Sequence, residues 1–547
     1  MAVTPNTILY LLKSPLELDN KNQLTFATET AQHEYFLSLP KIEVDRISYQ
    51  RKDSTIRFPA HIDSLIGYNY VMYQNENYTN KWFYAYITNM RYENDGMTTI
   101  TIETDCYQTW MFDIDIKKSF VVREHVNNDT VGLHTVPEGL EKGAMFRTNC
   151  TRFSFLGLEN GKNYNIPTNA LICIGASRQL TSNSFTPIYG TNLCGSFSGI
   201  RYFVFQADSD VNICLRALTE AGFIDDVVSV FMIPTFILGG EPTYTLVTTL
   251  SGTYRVHEVI TSDISDTSRL DFDYTKPTSI DGYTPKNKKL LTGEYNYLCV
   301  TNYCGDEQNY RFEYFTDPYT NLCRFYVRGV ISPSCSISLY PSFYLDNNQY
   351  NAYDNSTYSL PAPKLPICNW NSDQYTNWLA STSGNRTLNA ALSVGSIIAG
   401  GALVASGAGS LVGGGLIASG LGGIANQVAS RYDHSKDAIA NNGSPSSNDL
   451  LFSSSICFGA YQCCIKAEYA RKIDTIFDAI GYTINEMKIP NVTGRLNWNY
   501  VQTMEVAIQG TIPQEDLQTI KDMFNSGVTF WHNPSTFLDY SQNNGII

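Results

Sequence analysis

Charge is scarce in this chain of 547 residues: 38 lysines and arginines and 52 acids make up 16% of it, against about 25% in ordinary soluble domains. The formal net charge of −14 excludes a protein that grips nucleic acid by neutralising phosphates, although it leaves open one that lets DNA slide past. Catalytic signatures are missing too. There is no H-E-x-x-H, no G-x-S-x-G, no G-x-x-x-x-G-K-[ST] and no strict G-x-G-x-x-G. The relaxed form ending in alanine occurs at Gly413, Gly415 and Ala418 and again at Gly420, Gly422 and Ala425. Both copies sit in a run of little but glycine, alanine and aliphatics, where such spacing arises by chance, so a dinucleotide site is not expected. The histidines His33, His61, His125, His134, His257, His434 and His532 are dispersed, with no two at metal-ligand spacing on a helix. The acidic neighbours Glu138/Glu141 and Asp225/Asp226 resemble a hydrolase pair only on paper, and solvated acids are the commoner reading. We expect no enzyme, no cofactor and no metal.

The 13 cysteines are odd in number and contain no C-x-x-C pair. They read as mostly buried thiols of a protein made in a reducing cytosol, not as a disulfide framework. Ile8-Leu9-Tyr10-Leu11-Leu12 is too short for a signal-peptide core and lacks a basic flank, which argues against Sec-dependent secretion; a buried strand is expected instead.

What the chain has in abundance is aromatic: 13% of residues, led by 37 tyrosines. With threonine and valine these favour pleated, half-buried surfaces, so the chain is expected to be mainly β with few helices. Tyr84–Tyr92 and Met97–Thr104 flank Asn94-Asp95-Gly96 and predict a β-hairpin. Further strands are expected at 227–238, 243–250, 254–260, 310–316, 323–329 and 335–344, with 311–315 and 323–327 joined through a turn at 317–321. Pro234 and Pro341 suggest edges or bulges. Two helices are expected near the C-terminus. Tyr461, Ile465, Tyr469, Ile473, Ile476, Phe477 and Ile480 carry the first apolar stripe, stopped by Gly481. Pro513, Glu515 and Asp516 open the second, Leu517, Ile520 and Phe524 form its face, and Gly527 ends it. Ser/Asn-rich stretches at 345–360 and 441–449 read as linkers or exposed loops.

One segment departs from everything around it. Between Arg386 and Arg431 lie 44 residues without a charge, and Leu388 to Ala425 contains only small and aliphatic residues, serines and one asparagine, with 11 glycines. This exceeds the ~20 residues a helix needs to cross a bilayer. Gly413-Gly414-Gly415 is a natural hairpin point, and small residues at Gly401, Ala405, Gly409 and Gly413 would let a second helix pack closely in lipid. Three readings fit: a buried core hairpin, a constitutive membrane hairpin without flanking basic residues, or a segment sheltered in an assembly and later released into a membrane. The third accounts for an acidic, tyrosine-rich chain carrying such a stretch.

Two sets of blocks carry a family likeness. They are Lys81-Trp82-Phe83-Tyr84-Ala85-Tyr86-Ile87-Thr88-Asn89-Met90, Thr109–Asp113 and Phe120–Val126, and then Arg495–Tyr500, Gly510–Pro513 and Gly527–Asn533. They resemble the tail-knob (distal tail tube) proteins of small short-tailed phages of the picovirus type, which infect Gram-positive bacteria. The segments holding them, 1–130 and 451–547, are roughly two fifths of the chain; 131–370 carries no block that aligns.

The resemblance implies a ring-shaped homohexamer. Antiparallel, β-barrel-like tube domains would come from 1–130 and 451–547, β-rich knob domains from 131–370, and an apolar loop with its flanks from 371–450. It implies a virion protein at the distal end of the tail, made late in the host cytoplasm. Its loops first plug the lumen and then penetrate the host membrane during genome ejection. Implied partners are the upper collar and other tail proteins, host membrane lipids, and genomic DNA passing without sequence-specific binding. On this reading Leu392, Ile397, Ile398, Leu403, Val404, Leu411, Val412, Leu416, Ile417 and Leu421 contact lipid, while Gly401, Gly409 and Gly413 allow close packing. The rival readings are a receptor-binding tail adhesin whose apolar segment is a structural core hairpin, and a wall hydrolase.

Overall fold

The computed structural model describes residues 7–47, 49–50, 54–75, 79–154, 170–189, 191–193, 196–263, 270–303, 305–317, 320–329, 331, 337–345, 360–361, 367–368 and 457–547. The chain divides into two compact units, each assembled from separated segments. The first holds Met1–Ala144, Ser279–Tyr295 and Ile465–Ile547; the second holds Met145–Thr278 and Asn296–Cys464.

In the first unit the strand Thr7–Leu12 is the buried strand expected from its apolar run. Its run from Ile8 to Leu12 is hydrophobic because both faces are covered: Leu9 and Leu11 enter one core and Leu12 another. It is the second strand of a seven-stranded half-barrel, in the order Lys41–Ile47, Thr7–Leu12, Tyr70–Asn75, Thr79–Asn94, Met97–Thr104, Thr55–Phe58, Tyr49–Gln50. The predicted hairpin is present, with Asn94 paired to Met97 across the turn and bulges at 87/89 and 92/94. Side chains alternate as the pleat demands. Val71, Tyr73, Phe83 and Ala85 fill one face, while Tyr70, Met72, Tyr84 and Tyr86 fill the other.

The unit's five-stranded sheet runs Asn22–Leu24, Val528–Trp531, Trp498–Met504, Ser119–Glu124, Tyr482–Lys488. Its Asn22–Leu24 ladder to Val528–Trp531 is parallel and ties the start of the chain to its end. The second C-terminal helix is Gln514–Ser526, with Pro513 before it and Gly527 after it at φ +92°, as the sequence predicts. The first is Ala467–Ile480, and Gly481 stops it at φ +67°. A Cβ there would lie 2.0 Å from the Glu124 carbonyl oxygen, so only glycine fits. The helical stripe starts later than expected. Tyr461 belongs to the strand Cys457–Cys464, and Ile465 precedes the helix. That strand is paired on both sides, so ladders already satisfy its backbone groups.

Among the described residues, the second unit is mostly antiparallel sheet. Six strands run Thr245–Thr249, Gly252–Glu258, Arg201–Phe205, Ala170–Ala176, Val227–Pro234, Ile367–Cys368. Four run Phe146–Ser154, Cys457–Cys464, Asn296–Thr301, Glu307–Tyr310, and four more Leu270–Thr275, Leu322–Gly329, Ile337–Pro341, Leu360–Pro361. The helix Asp208–Glu220 covers the six-stranded sheet through Val211, Cys214, Leu215 and Leu218.

Three local expectations are corrected here. Residues 310–316 are not a strand: the strand Glu307–Tyr310 ends and a 3-10 turn, Phe312–Tyr314, follows. The turn drives Phe312 and Phe315 into the main core, which the pleat of a strand could not do for both of these residues on one face. The segment 311–315 therefore does not pair with 323–327; Leu322–Gly329 pairs with Leu270–Thr275 and Ile337–Pro341 instead. Pro234 and Pro341 mark strand ends rather than edge strands, each being the last residue of an interior strand.

Candidate functional site

Every residue singled out for membrane contact or close packing, from Leu392 to Leu421, lies outside the described residues, as do His434 and both relaxed glycine motifs. Among the described residues no helix is long and apolar enough to cross a membrane. What is defined is the frame around the segment. On its N-terminal side the chain makes a two-residue ladder, Phe231 to Ile367 and Val230 to Cys368, at the edge of the six-stranded sheet. On its C-terminal side the eight residues Cys457–Cys464 form an interior strand. That strand pairs with Phe146–Ser154 and with Asn296–Thr301, and Phe458 and Ala460 are buried in the main core. Both attachments belong to the second unit. The first is a ladder of two residues and the second a strand of eight, and each ladder residue adds backbone hydrogen bonds.

The blocks that carry the family likeness converge in the first unit. Tyr84 and Tyr86 share a buried cluster with Trp498 and Trp531 from the far end of the sequence. Trp110 donates through Nε1 to Asp516 Oδ2 at 2.8 Å, and Tyr107 lies against Phe530 with ring centroids 5.1 Å apart. Beneath them runs a buried amide chain: Gln32 Nε2 donates to Gln108 Oε1 at 2.9 Å, and Gln108 Nε2 to Gln23 Oε1 at 3.0 Å. Such a network is stable only when complete, and it fixes how these strands meet.

Buried charge pins the points where the chain leaves and re-enters this unit. Glu138 has a fully buried carboxylate that pairs with Arg123 and Lys289. It also accepts hydrogen bonds from Thr483 N at 2.9 Å and Thr483 Oγ1 at 2.8 Å. Burial pushes its pKa up, but the hydrogen bond and charge of Lys289, the charge of Arg123 and the Thr483 N–H together hold it below the ordinary value. Glu124, likewise buried, pairs with Lys488 and accepts from Asn491 N at 2.8 Å. Asp474 accepts from Tyr283 Oη at 2.6 Å, Lys286 N at 2.8 Å and Asn287 N at 3.0 Å. His125 Nδ1 accepts from Tyr500 N at 2.7 Å, so Nε2 carries the proton and donates to the Asp478 carbonyl at 3.0 Å. Burial, reinforced by the Arg495 charge, lowers its pKa to about 3.

The solvated reading of Glu138 is thus corrected: it is an internal anchor. Its neighbour Glu141 accepts from Gly143 N, and Asp226 pairs with Arg178 and accepts from Ser177 Oγ. The described histidines stay dispersed, and no group of three or more His, Cys, Asp or Glu among the described residues is placed to hold a metal. Sequence reasoning missed Lys289, Arg123 and Glu124, because nothing local distinguishes one charged residue that will meet a partner hundreds of positions away.

The described chain is mostly β, and its N- and C-terminal segments meet in one core of the first unit. The family description "Caudoviral major tail protein N-terminus" matches residues 6–117, and "Bacillus phage phi29, Tail knob protein gp9, C-terminal domain" matches residues 260–545. This chain belongs to that tail knob family. It is 25% identical over 605 aligned positions to tail knob protein gp9 of Bacillus phage PZA, covering 97% of this chain and 98% of the relative. It is 24% identical over 603 positions to the gp9 of Bacillus phage phi29, with the same coverage. The structure of the bacteriophage C1 tail knob protein, gp12, superposes with a TM-score of 0.63 over 99% of this chain and 100% of that one, at 14% identity. The relatives are structural tail proteins and not enzymes, and this chain is likewise a structural component of the virion, in the knob at the distal end of its tail.

Proposed function

We propose that this chain forms a homohexameric tail knob whose apolar segments close the lumen in the particle and enter the host membrane during genome ejection. The observation that carries the reading is the 44-residue charge-free run in a member of the tail knob family. Six such segments sheltered together would hide surface that otherwise aggregates. Once exposed, each would cross the bilayer as helices that satisfy their own backbone groups. Leu392, Ile397, Ile398, Leu403, Val404, Leu411, Val412, Leu416, Ile417 and Leu421 would face lipid, and Gly401, Gly409 and Gly413 the neighbouring helix.

The first unit is the tube wall on this reading, supported by the tail-protein match over 6–117 and by the convergence of both chain ends in one core. The second unit supplies the knob and carries the segment. The upper collar and tail proteins would seat the ring, and DNA would pass a wall that repels rather than binds it, in keeping with the net charge of −14.

The test compares liposome leakage by the intact chain and by one with 388–425 replaced by a short Gly/Ser linker, each sized for oligomeric state. Leakage by the intact protein alone, with both forms assembling as rings of six, is the expected result. Leu403→Asp with Ile417→Asp should abolish leakage and leave assembly intact. If the deleted form fails to fold and neither form leaks, the segment is structural core and the receptor-binding reading takes over.

A further inference from the structure

One face of the four-stranded sheet that contains Cys457–Cys464 carries two neighbouring thiols. Across the adjacent strands Asn296–Thr301 and Cys457–Cys464, Tyr297 stands opposite Cys463 and Cys299 opposite Tyr461. Since side chains alternate, Cys299 and Cys463 share a face as diagonal neighbours. On the next strands Arg147 stands opposite Cys463, and Asn309 stands opposite Cys299, which puts Glu307 on that face as well. Arg147 and Glu307 occupy the two outer strands of the sheet, yet Arg147 Nη2 meets the two Glu307 carboxylate oxygens at 2.6 and 2.7 Å. The ion pair therefore arches over both thiols, leaving Cys299 2% and Cys463 5% exposed. Cys299 Sγ is 3.9 Å from Glu307 Oε2.

We propose that Cys299 and Cys463 are a cross-strand dithiol that closes to a disulfide under mild oxidation, with Cys463 as the attacking sulfur. The neighbouring Cys299 thiol, with the charge and N–H of Arg147 and the Tyr297 hydroxyl, outweighs burial and brings Cys463 down to about 7. The adjacent Cys463 sulfur, burial and the Glu307 carboxylate to which it donates raise Cys299, so the proton stays there. A cation beside a thiol favours the reactive thiolate, whereas a thiol that is only buried is inert. Cys323 and Cys214 in the same unit are of the inert kind, with burial pushing Cys214 up to about 12 and Cys323 higher still.

With hydrogen peroxide as oxidant, the Cys463 thiolate attacks one peroxide oxygen, the O–O bond breaks and hydroxide leaves, giving a sulfenic acid. The Cys299 sulfur then attacks the Cys463 sulfur, the S–O bond breaks, and the departing hydroxide takes the Cys299 proton as water. Two thiols lose two electrons and one peroxide becomes two waters once the first hydroxide is protonated by solvent. Diagonal neighbours on paired strands lie about 7–8 Å apart, so closing an S–S bond of about 2.05 Å must draw the two strands together locally. The product ties the interior strand that follows the apolar segment to its neighbour covalently, which suits a protein made inside a cell and used outside it.

The full chain is treated with graded hydrogen peroxide, blocked with an alkylating reagent and digested for mass spectrometry. The expected result is a linked Cys299–Cys463 peptide at peroxide levels that leave Cys323 and Cys214 alkylated. Cys299→Ser should lose the link and leave Cys463 trappable by dimedone; Cys463→Ser should lose both signals. Arg147→Gln should slow the linkage while the unoxidised protein keeps its circular dichroism and oligomer size. The proposal is overturned if Cys463 stops at a stable sulfenic acid in the native chain, if it links instead to Cys150 or Cys464, or if the link forms only after unfolding.

Discussion

Trp498 and Trp531 stand directly opposite one another on neighbouring strands, ring centroids 5.1 Å apart, both fully buried. They close the core that Tyr70, Tyr84 and Tyr86 open from the half-barrel, so a contact between two C-terminal residues completes a fold begun near the N-terminus. Trp498→Ala should lower unfolding free energy by about 3–5 kcal/mol, the usual cost of emptying an aromatic core position. Urea unfolding followed by circular dichroism measures this. A change below about 1 kcal/mol would mean that the two ends of the chain fold independently.

Glu138 and Lys289 make the strictest electrostatic demand, since both side chains are at most 1% exposed. Glu138→Gln strands a buried ammonium and should cost about 3–5 kcal/mol. Adding Lys289→Met should return part of that, because the second change removes the uncompensated charge. A double variant no more stable than Glu138→Gln alone would show that the pair is not the anchor described above.

Acid should loosen the first unit before it protonates ordinary carboxylates. His125 is held at about 3 and His532, by burial, at about 4, both well below the usual 6.5. Both are neutral in the fold, so below pH 6.5 the unfolded chain takes up protons that the folded chain refuses. Stability is therefore unaffected above that value and falls with pH through the window from 6.5 to about 4 for His532 and about 3 for His125. Each histidine contributes up to about 1.4 kcal/mol per pH unit, for roughly 3–4 kcal/mol together at pH 5. Glu138, held below its ordinary 4.5, adds a loss of the same sign at lower pH as its ion pairs are protonated away. Unfolding free energies at pH 8, 7, 6 and 5 test this; His532→Gln should remove about half of the slope, and a flat profile from 7 to 5 would contradict it.

Local chemistry made several elements readable in advance. The hairpin around Asn94-Asp95-Gly96 announces itself by alternation and a turn, and Gly527 and Pro513 bracket a helix by what their backbones allow. The family blocks were legible for a related reason. Phe83, Tyr84, Ala85 and Tyr86 alternate between two cores, so neither face tolerates drift. Tyr461 misled because its spacing fits a helix as well as its hydrophobicity fits a strand, and only two neighbouring strands decide between them. Phe312 and Phe315 misled likewise: aromatic content signals burial, not the backbone path by which burial is reached.

By itself the sequence determined composition, local turns and caps, the charge-free run from 387 to 430 and the family to which the chain belongs. These depend on residues close together or on patterns that survive without their partners. The tertiary structure alone decided that Asn22–Leu24 would pair with Val528–Trp531, that Glu138 would be buried between Arg123 and Lys289, and that the described strands nearest the apolar segment, Ile367–Cys368 and Cys457–Cys464, would join different sheets. Each of those joins residues far apart in the chain. Their pairing is set by which buried polar groups can be satisfied together, and local preference carries no record of that.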